Sequence, residues 1–219
     1  MKEKIAGIDY SLSSPAMTIF DGSKIIIHCA YQSKKRLPNS VHQQIFDEED
    51  KSSSIKNDPT DIVYLVDYGQ LKIYFHWLPK TFNSIYEKIY FLSSMFLPYL
   101  KSVYQIALED YSFGSRGRVF GIAENTGFLK MEIWKQGGKI PFLFSPKTIK
   151  KFASGSGNAS KERMIECFEN KLNIDLYQLL ELNREKGIKN PITDIVDSYF
   201  VCLYLQQFLQ EEKSDDQIV

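Results

Sequence analysis

The chain has 219 residues, 43% of them hydrophobic and 14% aromatic, a composition that describes a folded globular protein with room for a sizeable core. Its 27 lysines and arginines balance 27 aspartates and glutamates, so any contact with nucleic acid must rest on local basic patches and not on overall charge. Cys29, Cys167 and Cys202 are scattered without metal-ligand spacing, and no run approaches transmembrane length. The scattered cysteines lead us to expect a reducing, cytoplasmic setting without a membrane partner. The opening "MKEKIAGIDYS" meets Asp9 too soon to form the apolar core of a signal peptide.

"KIAGIDY" and "PAMTIF" read as buried strands, and "DGSK" turns into a third, "KIIIHCAY", which gives an antiparallel meander. Residues 32–61 then change character. "QSKKRLPNS" is basic and polar, and "DEEDKSSSIKNDPTD" is charged and poor in large apolar groups, so this stretch reads as a polar insertion within a single domain, 1–219. "DIVYLVD" and "QLKIYFHWL" can form strands around Tyr68 and Gly69. Apolar residues at 82, 85, 86, 89, 92, 96 and 100 keep helical spacing. "YQIALEDYSF" is a strand that ends in acids, and a helix runs from about Arg118 to Gln136, stopped by Gly137 and Gly138. "IPFLFS" is a short fifth core strand, and the remainder is helical apart from "SGSGNAS". Strands joined through helices after an antiparallel start imply parallel pairing, hence an α/β fold with a five-stranded mixed sheet flanked by helices.

In "PITDIVDSYF", Asp194 and Asp197 stand three apart, on one helix face and about 4.5 Å apart along the axis. The ordinary reading is a cap or a partner for the helix dipole. Asp9 and Glu109, however, each end a strand. If those strands are parallel neighbours, their carboxylates project together at the carboxyl edge of the sheet, where open α/β folds bind ligands. A final helix carrying Asp194 and Asp197 across that edge completes a cluster of four acids, which must take up protons or cations. Hard divalent ions such as Mg²⁺ accept all-oxygen ligands, and a pair of them supports phosphodiester hydrolysis.

"GIDYSLSSPA", "IALEDYSFGSRG", "SPKTIKKFASGSGNASKERM" and "TDIVDSYFV" resemble, in order, the motifs of RuvC-type Holliday-junction resolvases, members of the RNase H-like superfamily. The resemblance covers about residues 4–30 and 104–207. It implies an RNase H-like fold with an insertion after the third strand. It also implies that Asp9, Glu109, Asp194 and Asp197 are catalytic, metal-binding acids holding two Mg²⁺ ions, with Mn²⁺ able to substitute. The implied activity is paired cutting of four-way junctions in DNA recombination and repair by a homodimer. His28, His42 and His76 all lie away from the last motif, so its aspartate version is the one present. The polar insertion looks more like the phage-encoded branch, whose members work in the host cytoplasm.

Lys147, Lys150, Lys151, Lys161 and Arg163 cluster around the glycine loop with only Glu162 among them. A solvated helix face would explain them, but an anionic polymer as substrate favours phosphate contact. Arg116 and Arg118 follow Glu109 closely and are candidates to grip the DNA backbone, with Tyr111, Phe113 or Phe120 available to stack on an opened base. Gly155 and Gly157 fit no nucleotide-binding motif, so no nucleotide cofactor is expected. Strand alternation turns Asp110 away from Glu109. The expected function is therefore a magnesium-dependent endonuclease that resolves four-way junctions and other branched DNA. The alternatives are a nuclease of the same fold for flaps, RNA–DNA hybrids or unbranched DNA, and a non-catalytic junction-binding protein.

Overall fold

The computed structural model describes residues 3–31, 59, 62–110, 119–188 and 190–215. The expected insertion, 32–61, lies outside the described residues apart from Pro59. One mixed sheet runs in the order β4-β5-β3-β2-β1-β6-β7. β1 (Ile5–Asp9), β2 (Ala16–Phe20) and β3 (Ile25–Tyr31) form the antiparallel meander. β6 (Gln105–Glu109) lies parallel to β1, and β7 (Phe142–Phe144) lies parallel to β6.

The expected strand count needs correction, because among the described residues the sheet has seven strands and not five. β4 (Ile62–Tyr68) and β5 (Leu71–Trp77) make a hairpin that joins the sheet beyond β3, with β5 parallel to β3. Side-chain chemistry fastens it there. His28 on β3 and His76 on β5 are both buried and share a hydrogen bond of 3.0 Å between Nδ1 and Nε2. Tyr74 and Tyr99 stack on His28, with ring centroids 5.1 and 3.9 Å away. Burial, with the neighbouring His76, holds His28 well below its usual pKa, so His28 sits neutral and bonded.

The helices are α1 (Ile85–Leu100), α2 (Val119–Lys135), α3 (Pro146–Ser154), α4 (Lys161–Leu172), the single-turn α5 (Leu176–Leu179) and α6 (Ile192–Asp215). The periodic signal around Phe82 runs ahead of α1 because Ser84 caps that helix. Its Oγ accepts the Glu87 N–H at 3.1 Å, while the Glu87 carboxylate takes the Asn83 N–H at 2.6 Å. α3 stops at Gly155, whose φ of 81° closes a left-handed cap bonded back to the Lys151 carbonyl.

Two cores lie on opposite faces of the sheet. One joins Ala6, Ile8 and Leu108 to Phe91, Leu92 and Phe96 of α1 and to Leu129 of α2. The other joins Ile5, Ala107 and Phe144 to Phe168 of α4 and to Ile195, Tyr199 and Val201 of α6. The first turns of α6 are buried on almost every side, since the helix is covered by the sheet and by α3 and α4. That is why buried apolar residues, Ile192, Ile195, Val196, Tyr199, Phe200 and Val201, are spread around its first half and leave no clean amphipathic stripe.

α6 approaches β1 very closely. A methyl group on Gly7 would stand 2.1 Å from the Cys202 amide nitrogen and 2.5 Å from its Cα, so only glycine admits the helix at this distance. Neither neighbour can swing aside, because both atoms are backbone. Gly7→Ala is expected to cost about 3 kcal/mol or more, at the upper end of overpacking effects. A denaturant midpoint unchanged from wild type would refute this close approach.

Candidate active site

Alternation along β1 and β6 sends Ile8 and Leu108 to the α1 side of the sheet, and Gly7 and Ala107 to the α6 side. Asp9 and Glu109, the last residues of these parallel neighbours, therefore face α6 together. Ile8 pairs with Leu108 in the ladder, so the two acids leave the sheet at one level. α6 brings Asp197 over them. One carboxylate oxygen from each of Asp9, Glu109 and Asp197 lies within 4.8 Å of the other two. Tyr10 turns instead to the other face and packs near Phe96.

Asp194 stands beside this trio and is not one of its close-set members. Its side chain is buried, sits near enough to Asp9 to help raise that acid's pKa, and accepts the Ser14 hydroxyl at 2.9 Å. One turn later Ser198 shares a buried hydrogen bond of 2.9 Å with Thr18 of β2, which fixes the rotation of the helix over the sheet. The Asp197 face of α6 thus points at the strand ends.

The electrostatics are those of acids crowded in a low-dielectric corner. Burial, then the charges of Glu109, Asp197 and Asp194, hold Asp9 well above the usual carboxylate range. Burial also pushes Glu109 up to about 8, aided by Asp197 and opposed by Lys150. Asp194 rises to about 7 through burial, against the Ser14 hydrogen bond. Asp197 rises to about 6 through burial, restrained by Lys161 and Lys150. Asp9, Glu109 and Asp197 each keep a partly accessible surface, so a solute cation can reach them. Three carboxylate oxygens in mutual reach, short of positive charge, fit a hard divalent ion such as Mg²⁺.

The expected basic residues divide. Lys150 of α3 and Lys161 of α4 line a cavity of about 150 Å³ together with Glu109 and Asp197, over an apolar floor that includes Ile149 and Met164. Lys147 and Lys151 are exposed and do not line that cavity. Arg163 pairs with Glu166 at 3.1 Å on the open surface of α4. Arg116 and Arg118, with Tyr111 and Phe113, lie outside the described residues, and Phe120 is exposed at the start of α2. A wider groove of about 380 Å³, lined by Phe152, Cys167, Lys171 and Phe200, has no acid in its wall, so the chemistry belongs to the smaller cavity. Ser14, Asn190 and Thr193 escaped notice in the sequence. Nothing in "SLSS" separates Ser14 from its neighbours until α6 is placed against it.

A mixed sheet with acids at adjacent parallel strand ends, crossed by an acidic helix, is the α/β architecture anticipated from the motifs. No family model matches the chain, and no curated protein sequence matches it. Among solved structures it is similar to RuvC of Thermus thermophilus, with a TM-score of 0.53 and 11% identity over 94% of this chain and 96% of the other. It is also similar to T. thermophilus RuvC in complex with a Holliday junction substrate, with a TM-score of 0.50, 12% identity and the same coverage. At this identity the likeness shows the fold, which is RuvC-like. Among the described residues, no helix is long and apolar enough to cross a membrane.

Proposed function

We propose that this protein is a magnesium-dependent, structure-selective DNA endonuclease that resolves four-way junctions and other branched DNA. The observation that carries the proposal is the meeting of Asp9, Glu109 and Asp197 at one strand edge, in a fold similar to that of a protein solved with a Holliday junction. Asp9, Glu109 and Asp197 would hold the divalent ions, with Asp194 beside them and Mn²⁺ able to replace Mg²⁺. Bound there, the ions would activate a water and steady the leaving oxygen of a phosphodiester. Lys150 and Lys161, on the rim of the same cavity, meet the phosphate and offset the charge that DNA adds to an acidic site. Lys147, Lys151 and Arg163 extend the positive surface along α3 and α4, and Arg116 and Arg118 grip the backbone beyond Glu109. The products carry a 5′-phosphate and a 3′-hydroxyl. Resolution needs two opposed nicks, so the working form is a homodimer with two sites. A phage-type enzyme of this kind would act in the host cytoplasm, in recombination and repair.

Cleavage of a synthetic four-way junction, a flap, an RNA–DNA hybrid and a linear duplex, each with Mg²⁺, tests this reading. Preferential, paired nicking of the junction is expected. Preference for another substrate would move the protein to a different nuclease class, and binding without cutting in Mg²⁺ or Mn²⁺ would make it a junction-binding protein. Lys150→Ala combined with Lys161→Ala should weaken junction binding and lower its log–log salt slope by about one for each phosphate no longer neutralised. An unchanged slope would return both lysines to the solvated surface.

A further inference from the structure

Asp194 is held by a chain of polar groups whose direction can be read. Thr193 Oγ1 donates to Asn190 Oδ1 at 3.1 Å, which orients the amide. Asn190 Nδ2 then donates to Ser14 Oγ. Ser14 Oγ donates in turn to Asp194 Oδ2 at 2.9 Å. A serine hydroxyl has one hydrogen, and an ionised carboxylate only accepts, so a Ser14 that receives the Asn190 N–H must give its own hydrogen to Asp194. Ser14 is itself fixed, because its backbone N–H donates to Ser11 Oγ at 3.0 Å and its side chain is buried. The link spans the loop between β1 and β2 and the start of α6, two segments that meet only in the finished fold. It constrains the rotation of the Asp194 carboxyl, which stands beside Asp9.

We propose that Ser14 is a positioning residue that fixes the Asp194 carboxylate against Asp9 and so sets the affinity of the acid cluster for its divalent cation. This rests on the reading of Asp9, Glu109, Asp194 and Asp197 as metal-binding acids. Without the hydroxyl, Asp194 keeps its charge but loses its orientation, and the cluster meets the cation with one carboxylate free to turn. Asn190 acts one step further out, by forcing the direction of the Ser14 hydrogen. Groups that orient the residues around a metal are typically worth about 10- to 100-fold in metal affinity.

Titration of the DNA-free protein with Mg²⁺ by calorimetry, and with Mn²⁺ by electron paramagnetic resonance, provides the test. Wild type, Ser14→Ala, Ser14→Thr and Asn190→Ala are compared, with Asp197→Asn as the variant that must lose binding. Ser14→Ala is expected to weaken binding about tenfold or more, Ser14→Thr to stay within about threefold of wild type, and Asn190→Ala to fall between them. In junction cleavage, Ser14→Ala should shift the Mg²⁺ dependence of the rate to higher concentration and leave KM for DNA unchanged, which a merely structural loss would not do. Melting without metal identifies any variant that fails to fold. Should Ser14→Ala be such a variant, the decision passes to Asn190→Ala, where wild-type affinity overturns the proposal. Cation binding by Ser14→Ala within about twofold of wild type overturns it directly and leaves the metal reading standing. A wild-type protein that binds neither cation overturns both.

Discussion

Asp9→Asn and Glu109→Gln are each expected to abolish junction cleavage while leaving junction affinity within a few-fold of wild type. Each change keeps the shape of the side chain and removes a charge that, in the proposed reading, would help hold the cation. Metal assistance is worth several kcal/mol of transition-state stabilisation, so the loss should reach on the order of a thousandfold. In the proposed reading the lysines of α3 and α4, not the acids, face the phosphates, so binding should survive. Single-turnover cleavage in Mg²⁺ measures the first quantity. Binding in Ca²⁺, whose looser coordination supports capture of DNA but little cutting, measures the second. Full cleavage by either variant would remove Asp9 and Glu109 from the chemistry.

Without metal, the protein should lose stability as pH rises through neutrality. Folded-state values of about 6 for Asp197, 7 for Asp194 and 8 for Glu109, with Asp9 also raised, stand above the unfolded carboxylate range near 4. The folded state therefore binds more protons than the unfolded chain, and stability falls as pH climbs from about 4 through about 8. His28 acts in the opposite sense below its ordinary pKa near 6.5, because its folded value is lowered, so the acids' effect stands clear between about pH 6.5 and 8. The partly open face of the cluster screens these charges, which limits the total to a few kcal/mol.

Mg²⁺ competes with those protons, so the rise in Tm that it confers should grow across the same window. Asp197→Asn should flatten the metal-free slope, hold or raise metal-free stability, and shrink the Mg²⁺ effect. Aspartates serving only the helix dipole would give another pattern, a loss of about 0.3–2 kcal/mol with or without metal. Melts of wild type and Asp197→Asn from pH 6 to 8.5, each with and without Mg²⁺, separate the two. Equal destabilisation in both conditions would reduce Asp197 to a partner of its own helix.

Much of this architecture was legible in the sequence because backbone periodicity and turn residues act locally. The strand "KIAGIDY", the short strand "IPFLFS" and the helix ended by Gly137 and Gly138 all stand where those signals put them. The meeting of Asp9 and Glu109 was legible too, since it needs only two parallel strands of known ends. What escaped depended on distant partners. Residues 71–77 read as a strand, yet nothing in their own sequence says that His76 will meet His28 and bring the hairpin into the main sheet. Asp194 and Asp197 looked equivalent at helical spacing, and about 100° per residue leaves them only some 60° apart around the axis, yet that offset and the rise between them bring one to Ser14 and the other to the strand ends.

The close fit of Gly7 against Cys202 gives the site a built-in safety catch. β1 and β6 by themselves supply only Asp9 and Glu109, and Asp197 comes from α6. Only when the helix settles against the bare backbone at Gly7 do carboxylates from three widely separated stretches of chain come within 4.8 Å of one another. Pairings so distant in sequence are slow to form. Under the proposed function, a chain in which α6 is not seated would lack Asp197 and should not cut DNA, even where its lysines still hold it.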